Sequence, residues 1–292
     1  MPPLYLVLPF LASLLYVLCA LFLKSASAQG AGLWRTTIVS NTIVGTAFFV
    51  LWPLGGHLPE RAAWIQPAAT AGLFLAGQVC ALFAIQRGDV SVATPVMGLK
   101  VVLVAAFVTA LLGERVPPAV WAAAALSSFG IVLLGRSGGA GGGSGTATAL
   151  VFGGLAAVAF ALFDVLVQKW APAWGAGRFL PVTMAMVAVF SFPLLALRPD
   201  PVPRGAWRPL LAGGLLGAVQ ALMLISSLAL YARATTINVV YSARGLWSVV
   251  AVWVLGPWFG NRERDRGAAV FRARLAGAAL LLGAIVLAIV AR

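Results

Sequence analysis

Long apolar runs separated by short polar intervals make up almost the whole of this chain. A helix needs about 20 mostly apolar residues to cross the hydrocarbon core of a bilayer. No interval between the runs is long enough for a separate soluble domain. The pattern therefore predicts an all-α integral membrane protein with ten transmembrane helices. The predicted spans are roughly 3–24, 33–54, 64–86, 90–112, 117–135, 148–170, 177–197, 207–230, 235–258 and 270–291.

Two segments about 145 residues apart have related sequences. Leu21–Gly32 and Leu166–Gly177 each run from an apolar stretch through a lysine into Gly-Ala-Gly. Further along, Gly98-Leu99 recurs 147 residues later as Gly245-Leu246. Weak internal symmetry in an apolar chain is typical of secondary transporters, whose binding site lies between the repeats.

A glycine-rich segment divides the ten predicted spans into five and five. Its composition is that of a flexible linker. Because five crossings is an odd number, the second half must enter the membrane from the opposite side. The sequence thus predicts two inverted five-helix repeats, related by a pseudo-two-fold axis in the membrane plane. The first repeat covers 1–136, the linker 137–147 and the second repeat 148–292.

Composition supports a membrane location, since 62% of the residues are hydrophobic and only 9% are charged. A soluble domain has roughly a quarter charged residues. The net charge of +13 comes from basic residues scattered singly through short loops, with one dense stretch at Arg262–Arg274. This distribution favours anionic lipid headgroups over nucleic acid as the partner. We expect a multi-pass protein of the cell inner membrane that contacts the lipid bilayer and no nucleic acid.

Two basic residues fall inside predicted spans, where a charge costs about 2.5–3.5 kcal/mol even on the insertion scale. Lys100 lies near the middle of the fourth span, and Pro95 and Gly98 before it can interrupt the helix. Arg244 lies in the ninth span, about one helical turn from the position that corresponds to Lys100. Both cations are candidates for binding an anionic group.

The ninth span also carries a polar stripe around Arg244. On an uninterrupted helix, Asn238, Tyr241, Ser242 and Ser248 share one side with it. Such a stripe must face protein or water, which makes its residues candidates for substrate binding. An internal polar network that only holds helices together is the alternative, as is an Arg244 that extends to the membrane surface.

Three further polar residues within predicted spans are candidates for the site. Asp164 is the acidic one, and it could be a counter-ion to Lys100 or Arg244, a proton acceptor, or an interfacial partner of Lys169. Gln78 and Gln220 lie deep in their spans, where they could bond a polar ligand or join helices.

Catalytic chemistry has little support in this sequence. The single histidine, His57, lies in a loop, and there is no His/Cys cluster or pair of intramembrane aspartates. We therefore expect neither an enzyme nor a bound metal or cofactor.

Several local motifs resemble the drug/metabolite transporter superfamily, of the ten-helix EamA type. They are Gly88–Pro95 before the fourth span, Leu111–Arg115 after it, the first span closing on Lys24, and Gly130-Ile131 in the fifth span. The resemblance implies helices from both halves around a central cavity, with the fifth and tenth helices packed peripherally. Members of this family export amino acids and other metabolites, or carry nucleotide sugars or phosphorylated sugars.

One departure from the family bears on substrate. Small four-helix relatives that export cationic drugs use a glutamate in the first helix, whereas Leu4–Leu23 contains no acid. This departure argues against a proton-driven drug pump of the same design.

Together these observations predict a secondary transporter of a small polar metabolite that carries a carboxylate or phosphate, such as an amino acid or organic anion. It would work by alternating access around a midplane site between the repeats, as a monomer or homodimer, with a proton as a candidate coupling ion. Two alternatives stay open. One is a cationic compound or drug exporter that uses Asp164, and the other is a non-transporting membrane helper protein in lipid handling.

Overall fold

The computed structural model describes residues 3–87, 96–136, 145–197, 200–247, 250 and 268–290. Regular structure throughout these residues is helical, which confirms the all-α prediction. Short 3₁₀ segments extend several of the helices. The α-helices of the described residues are α1 (Leu4–Ala28), α2 (Leu33–Ala47), α3 (Ile65–Arg87), α4 (Lys100–Phe107), α5 (Pro118–Arg136), α6 (Gly145–Trp174), α7 (Ala176–Ser191), α8 (Trp207–Tyr231), α9 (Ala234–Tyr241) and α10 (Ala268–Val290).

Six helical segments of the described residues are long and apolar enough to cross a membrane. Shorter apolar helices cover Lys100–Leu112, Pro118–Leu133 and Ala279–Val290. The predicted Gly88–Pro95 motif, most of the glycine-rich linker and most of the ninth span beyond Trp247 lie outside the described residues. Ten transmembrane helices and the inverted repeat therefore stay predictions.

The chain divides into two compact units, each of which takes residues from both sides of the glycine-rich segment. Unit 1 comprises Met1–Leu75 and Leu166–Ala232. Unit 2 comprises Ala76–Val165 and Arg233–Arg292.

Close approach of α1 and α8 organises much of unit 1. A Cβ added to Gly213 would come within 2.7 Å of a Leu23 methyl carbon, and one added to Gly217 would lie 3.1 Å from Cys19 Sγ. A third glycine of α8, Gly214, gives room to Ile43 of α2. Small residues allow helix backbones to approach in a membrane, where no hydrophobic effect drives them together.

A second feature of unit 1 is a glycine crossing, formed by Gly55, Gly56, Gly175 and Gly177. Gly56 has φ +117°, and a Cβ there would collide with the Trp174 carbonyl oxygen. Gly175 has φ +79°, and its Cβ would lie 2.7 Å from Gly56 Cα. Only glycine accepts both the backbone conformation and the contact, so two loops can cross at van der Waals distance here.

Trp174 fixes the glycine crossing from the side of α6. Its indole Nε1 donates to Gln66 Oε1 at 2.9 Å, and its carbonyl accepts the His57 N–H at 3.0 Å. Next to it on α7, Arg178 donates to the Trp52 carbonyl at 2.6 Å and stacks over the Trp52 ring. The hydrogen bonds of Trp174 and Arg178 therefore hold the segments of the crossing together.

In unit 2, α5 and α10 pack along small residues. A Cβ added to Gly130 would lie 3.0 Å from the Gly277 carbonyl oxygen, and Leu126 contacts Gly283. A buried apolar cluster then joins this pair to α4 and α9 through residues from all four helices. Its buried members are Val101, Ala105, Ala123, Ala124, Val239, Ala284 and Ala288.

The helical path of α4 and that of α9 are each interrupted by a tight turn. Before α4 the turn is Gly98-Leu99, where the Leu99 N–H donates to Val96 O at 3.1 Å. After α9 the turn is Ser242-Ala243, where the Ala243 N–H donates to Val240 O at 3.1 Å. Bonds between residues i and i+3 are characteristic of 3₁₀ turns, so both interruptions are tightened turns in a helical path.

The second interruption corrects one expectation. The polar stripe predicted for the ninth span requires an uninterrupted helix, but α9 ends at Tyr241 and the helix resumes at Arg244. An arc calculated at 100° per residue does not apply across this turn. The relative directions of Asn238, Ser242 and Arg244 must instead be taken from their contacts.

Candidate functional site

Lys100 and Asp164 form an ion pair inside unit 2. Lys100 is the first residue of α4, immediately after the Gly98-Leu99 turn, and Asp164 comes from α6. Lys100 Nζ lies 2.7 Å from Asp164 Oδ2. The lysine side chain is 13% exposed and the aspartate side chain 2% exposed. The structure thus joins two residues that the sequence offered as separate candidates.

Asn238 of α9 completes this arrangement. Its Nδ2 donates to Asp164 Oδ2 at 2.7 Å and to the Ala234 carbonyl at 3.0 Å. The carboxylate oxygen therefore accepts from both a lysine and an amide, which come from different helices. We call Lys100, Asp164 and Asn238 the charged cluster.

The charged cluster is expensive to bury, which bears on why it exists. Two ions leave water when such a pair forms, and their attraction often only balances that loss. Removing one partner, however, leaves an uncompensated buried charge and typically costs about 3–5 kcal/mol. Packing alone would be met by apolar residues of similar volume, so the retained charges point to a role in binding.

Arg244 holds the corresponding place at the second interruption, because it is the first helical residue after Ser242-Ala243. Its guanidinium carbon lies 5.0 Å from the centroid of the Tyr241 ring, a distance suited to a cation–π contact. Its charge also acts on Lys100. Both helical interruptions in unit 2 are thus followed directly by a cation.

Two adjacent serines of α5 form hydrogen bonds with residues of the two interruptions. Ser128 Oγ donates to the Gly98 carbonyl at 3.1 Å. Ser242 Oγ lies 3.3 Å from Ser127 Oγ and donates to the Val239 carbonyl at 2.6 Å. A turn within a helical path leaves carbonyl groups that need donors, and here side chains supply them.

Ser127 and Ser128 were not identified from the sequence. The available signal was a pair of polar residues in the otherwise apolar run from Ala122 to Leu134. Serine is common in membrane helices, so the role of this pair becomes clear only from its partners, the Gly98 carbonyl and the Ser242 hydroxyl.

The remaining candidates are less directly connected. Gln78 of α3 is half-buried in unit 2, while Gln220 of α8 is half-buried in unit 1. Next to Gln78, Gly77 gives room to the ring of Phe160, whose centroid lies 5.9 Å from Lys100 Nζ. An aromatic ring therefore flanks the ammonium group on one side.

Possible metal ligands were compared across the part of the chain that the structure describes. No three His, Cys, Asp or Glu side chains are grouped there as ligands. The charged cluster can bind a ligand through charge and hydrogen bonds. An ammonium group carries three N–H donors, and Asp164 Oδ2 accepts one of them. The others can be offered to an anionic ligand.

Comparisons with known proteins agree with this architecture. The EamA-like transporter family matches residues 3–136. A solved crystal structure, described only as that of a protein, covers 97% of this chain and 96% of its own, with a TM-score of 0.74 and 19% sequence identity. No curated protein matches the chain. Residues 3–136 are thus similar to the EamA-like transporter family, and nearly the whole chain shares its fold with that crystal structure. Six helical segments of the described residues are long and apolar enough for a multi-pass membrane protein.

Proposed function

We propose that this protein is a secondary transporter of a small polar metabolite with a carboxylate or phosphate group, such as an amino acid or organic anion. The substrate would bind at a midplane site between the two repeats, and alternating access would expose that site to each side of the cell inner membrane in turn. The observation that carries the proposal is the buried ion pair of Lys100 and Asp164, in which the lysine is the partner whose side chain keeps 13% of its surface exposed.

Exposure separates the two charges of the ion pair. Lys100 keeps 13% of its side chain exposed, whereas Asp164 keeps 2%. The positive group is therefore the one that an incoming ligand can reach first. Charge-assisted hydrogen bonds from lysine to a carboxylate or phosphate are short and about twice as strong as neutral ones.

The neighbouring side chains suit the rest of such a ligand. Arg244 adds a second positive charge that acts on Lys100, which favours an anion over a cation at this point. Tyr241 and Ser242 bring hydroxyl groups, and Asn238 brings an amide oxygen. Gln78, which lies in the same unit, extends the proposed set of polar contacts.

The same geometry weakens the competing proposals. An exporter of cationic compounds that uses Asp164 would have to bring its cation to a carboxylate that already accepts from Lys100 and Asn238. A helper protein without transport activity fits poorly with the similarity of residues 3–136 to the EamA-like transporter family.

A thermal-shift screen of the purified protein tests the proposal. The panel contains L-alanine, lactate, succinate, glucose 6-phosphate and a cationic dye, with Lys100→Ala beside the wild type. A ligand that binds only the folded state stabilises it by RT ln(1 + [L]/Kd), about 2.7 kcal/mol at a hundred times Kd. We expect stabilisation by an anionic or zwitterionic compound, and a loss of affinity of about 100-fold in the variant.

Lys24→Ala is the matched control, because Lys24 lies exposed near the end of α1 in unit 1. It should respond to the panel as the wild type does. Unchanged binding of the anionic compound by Lys100→Ala would contradict the proposed site. Stabilisation by the dye that disappears in Asp164→Asn would support the cation exporter instead.

A further inference from the structure

The charged cluster raises the question of what happens to Asp164 when an anion binds to Lys100. We infer that Asp164 takes up one proton whenever an anionic substrate engages Lys100, so that the protein carries the anion and the proton together. The inference rests on the proposed function and adds to it the coupling ion, the residue that binds it and the direction of coupling.

Burial is the first step of the argument. Asp164 is 2% exposed, and the ammonium group 2.7 Å away is the positive partner that makes its charge tolerable. An anion that draws Lys100 toward itself leaves the carboxylate as a buried charge with only an amide donor. A buried carboxylate in that position becomes neutral by binding a proton, since an unpaired ion is the costlier alternative.

Asn238 provides the second step, because it can hold Asp164 in either ionisation state. Its Nδ2 donates to Oδ2 at 2.7 Å. The carbonyl oxygen of a neutral carboxylic acid accepts that bond just as a carboxylate oxygen does. Asp164 thus keeps its place on protonation, and Lys100 can return to it when the anion leaves.

The charges balance in this cycle. Before binding, the positive Lys100 and negative Asp164 sum to zero. A monoanion then arrives at Lys100, and a hydronium ion of the solution transfers a proton to the carboxylate of Asp164 and becomes water. The sum is again zero, and no other bond forms or breaks. Transport of a monoanion through this pair is therefore electrically neutral and driven by a pH gradient.

The charged and polar groups around Asp164 are consistent with this assignment. Lys100 of α4 contacts Asp164, and the positive charge of Arg244 interacts with that of Lys100. From α9 the contact is the neutral Asn238. On its own helix the nearest ionisable residue is Lys169, five residues further along. The positive charges favour the arrival of an anion, and Asp164 is the group beside Lys100 that can bind the accompanying proton.

The experiment measures binding as a function of pH in detergent solution. The probes are lactate, succinate, glucose 6-phosphate and L-alanine, titrated between pH 5 and pH 8 into wild type, Asp164→Asn and Lys100→Met. Asparagine imitates the protonated carboxyl group. We expect wild-type affinity for the bound probe to fall by up to tenfold per pH unit as pH rises, and Asp164→Asn to bind equally well at every pH.

A second readout avoids dependence on any variant. In weakly buffered solution with a pH dye, each lactate ion bound by the wild type should remove about one proton from solution. Asp200→Asn, at an exposed loop position, is the matched control and should behave as the wild type.

The outcomes separate the two proposals. A wild type that binds through Lys100 without proton uptake, or an Asp164→Asn variant that keeps the wild-type pH slope, overturns the coupling and leaves the substrate class standing. Unchanged binding by Lys100→Met, or no binding of any probe by the wild type, overturns the proposed function and the coupling with it.

Discussion

Units 1 and 2 satisfy their buried polar groups in different ways. In unit 1, the neutral Asn41 donates to the neutral Ser191 at 2.7 Å, and Trp174 donates to Gln66. In unit 2, the corresponding interior contact is an ion pair reinforced by Asn238. Hydrogen bonds between neutral groups are enough to join helices in a membrane, at about 0.6 kcal/mol each. The costlier ion pair in unit 2 therefore indicates that its charges have a functional role.

The two units also differ in how the backbone turns. In unit 1, positive φ angles at Gly56 and Gly175 allow two loops to cross. In unit 2, Leu99 and Ser242 keep φ close to −60°. Ser128 of α5 donates to the Gly98 carbonyl, and Ser127 of α5 accepts from Ser242 Oγ. The turns in unit 2 can change conformation by exchanging hydrogen bonds. The glycine crossing in unit 1 is fixed because its backbone segments are in direct contact.

Asp164→Ala tests the first difference and has the largest expected effect. Removing the carboxylate leaves Lys100 as a buried charge without its partner, so the free energy of unfolding should fall by about 3–5 kcal/mol. Unfolding in mixed micelles with increasing denaturing detergent measures this change.

The double variant Lys100→Met/Asp164→Ala serves as the control, because it removes both charges. It should recover most of the lost stability, since replacing a whole buried pair by apolar groups is often neutral. A double variant as unstable as the single one would show that the ion pair is not the source of the effect.

Gly56→Ala tests the second difference and should lower the free energy of unfolding by about 2 kcal/mol or more. The new methyl group would meet the Trp174 carbonyl oxygen at a φ of +117°, which side chains rarely adopt. Chemical unfolding followed by tryptophan fluorescence suits this measurement, since Trp174 lies at the crossing.

Gly72→Ala is the comparison, because a Cβ at Gly72 on α3 would meet no atom within 4 Å. Its stability should change by less than about 1 kcal/mol. Equal effects of the two substitutions would mean that the crossing tolerates a side chain.

Asn41→Ala has the smallest expected effect, a loss of about 0.6–1.7 kcal/mol, because it removes one neutral interhelical hydrogen bond. Ligand binding should be unaffected, as measured by the same thermal-shift panel. Thr42→Ala on the exposed side of α2 is the neighbouring control. A loss as large as that of Asp164→Ala would remove the contrast between neutral and charged contacts.

Sequence patterns predicted the features that depend on local composition. Apolar runs predicted helices, and the described residues of these runs are helical. Gly98 with Pro95 before it indicated an interruption near Lys100, and a turn lies at Gly98-Leu99.

Features that depend on partners from distant segments could not be predicted in the same way. Ser242 and Ala243 are ordinary helix residues, and the turn they form becomes understandable through Ser127 on α5. Likewise, the sequence offered several partners for Asp164, and only the fold selects Lys100 among them. Pairing across helices is a property of packing, which periodicity along one helix does not encode.

The position of Lys100 at the start of α4 has an electrical consequence. The membrane voltage acts on any charge that moves across it, with work of about 2.3 kcal/mol per elementary charge per 100 mV. A displacement of α4 that carried Lys100 alone would therefore be helped or opposed by the resting potential. While Lys100 travels with Asp164, the pair has no net charge for the voltage to act on. By the same reasoning, α4 becomes sensitive to voltage only when the bond between Lys100 Nζ and Asp164 Oδ2 is broken without a replacement anion.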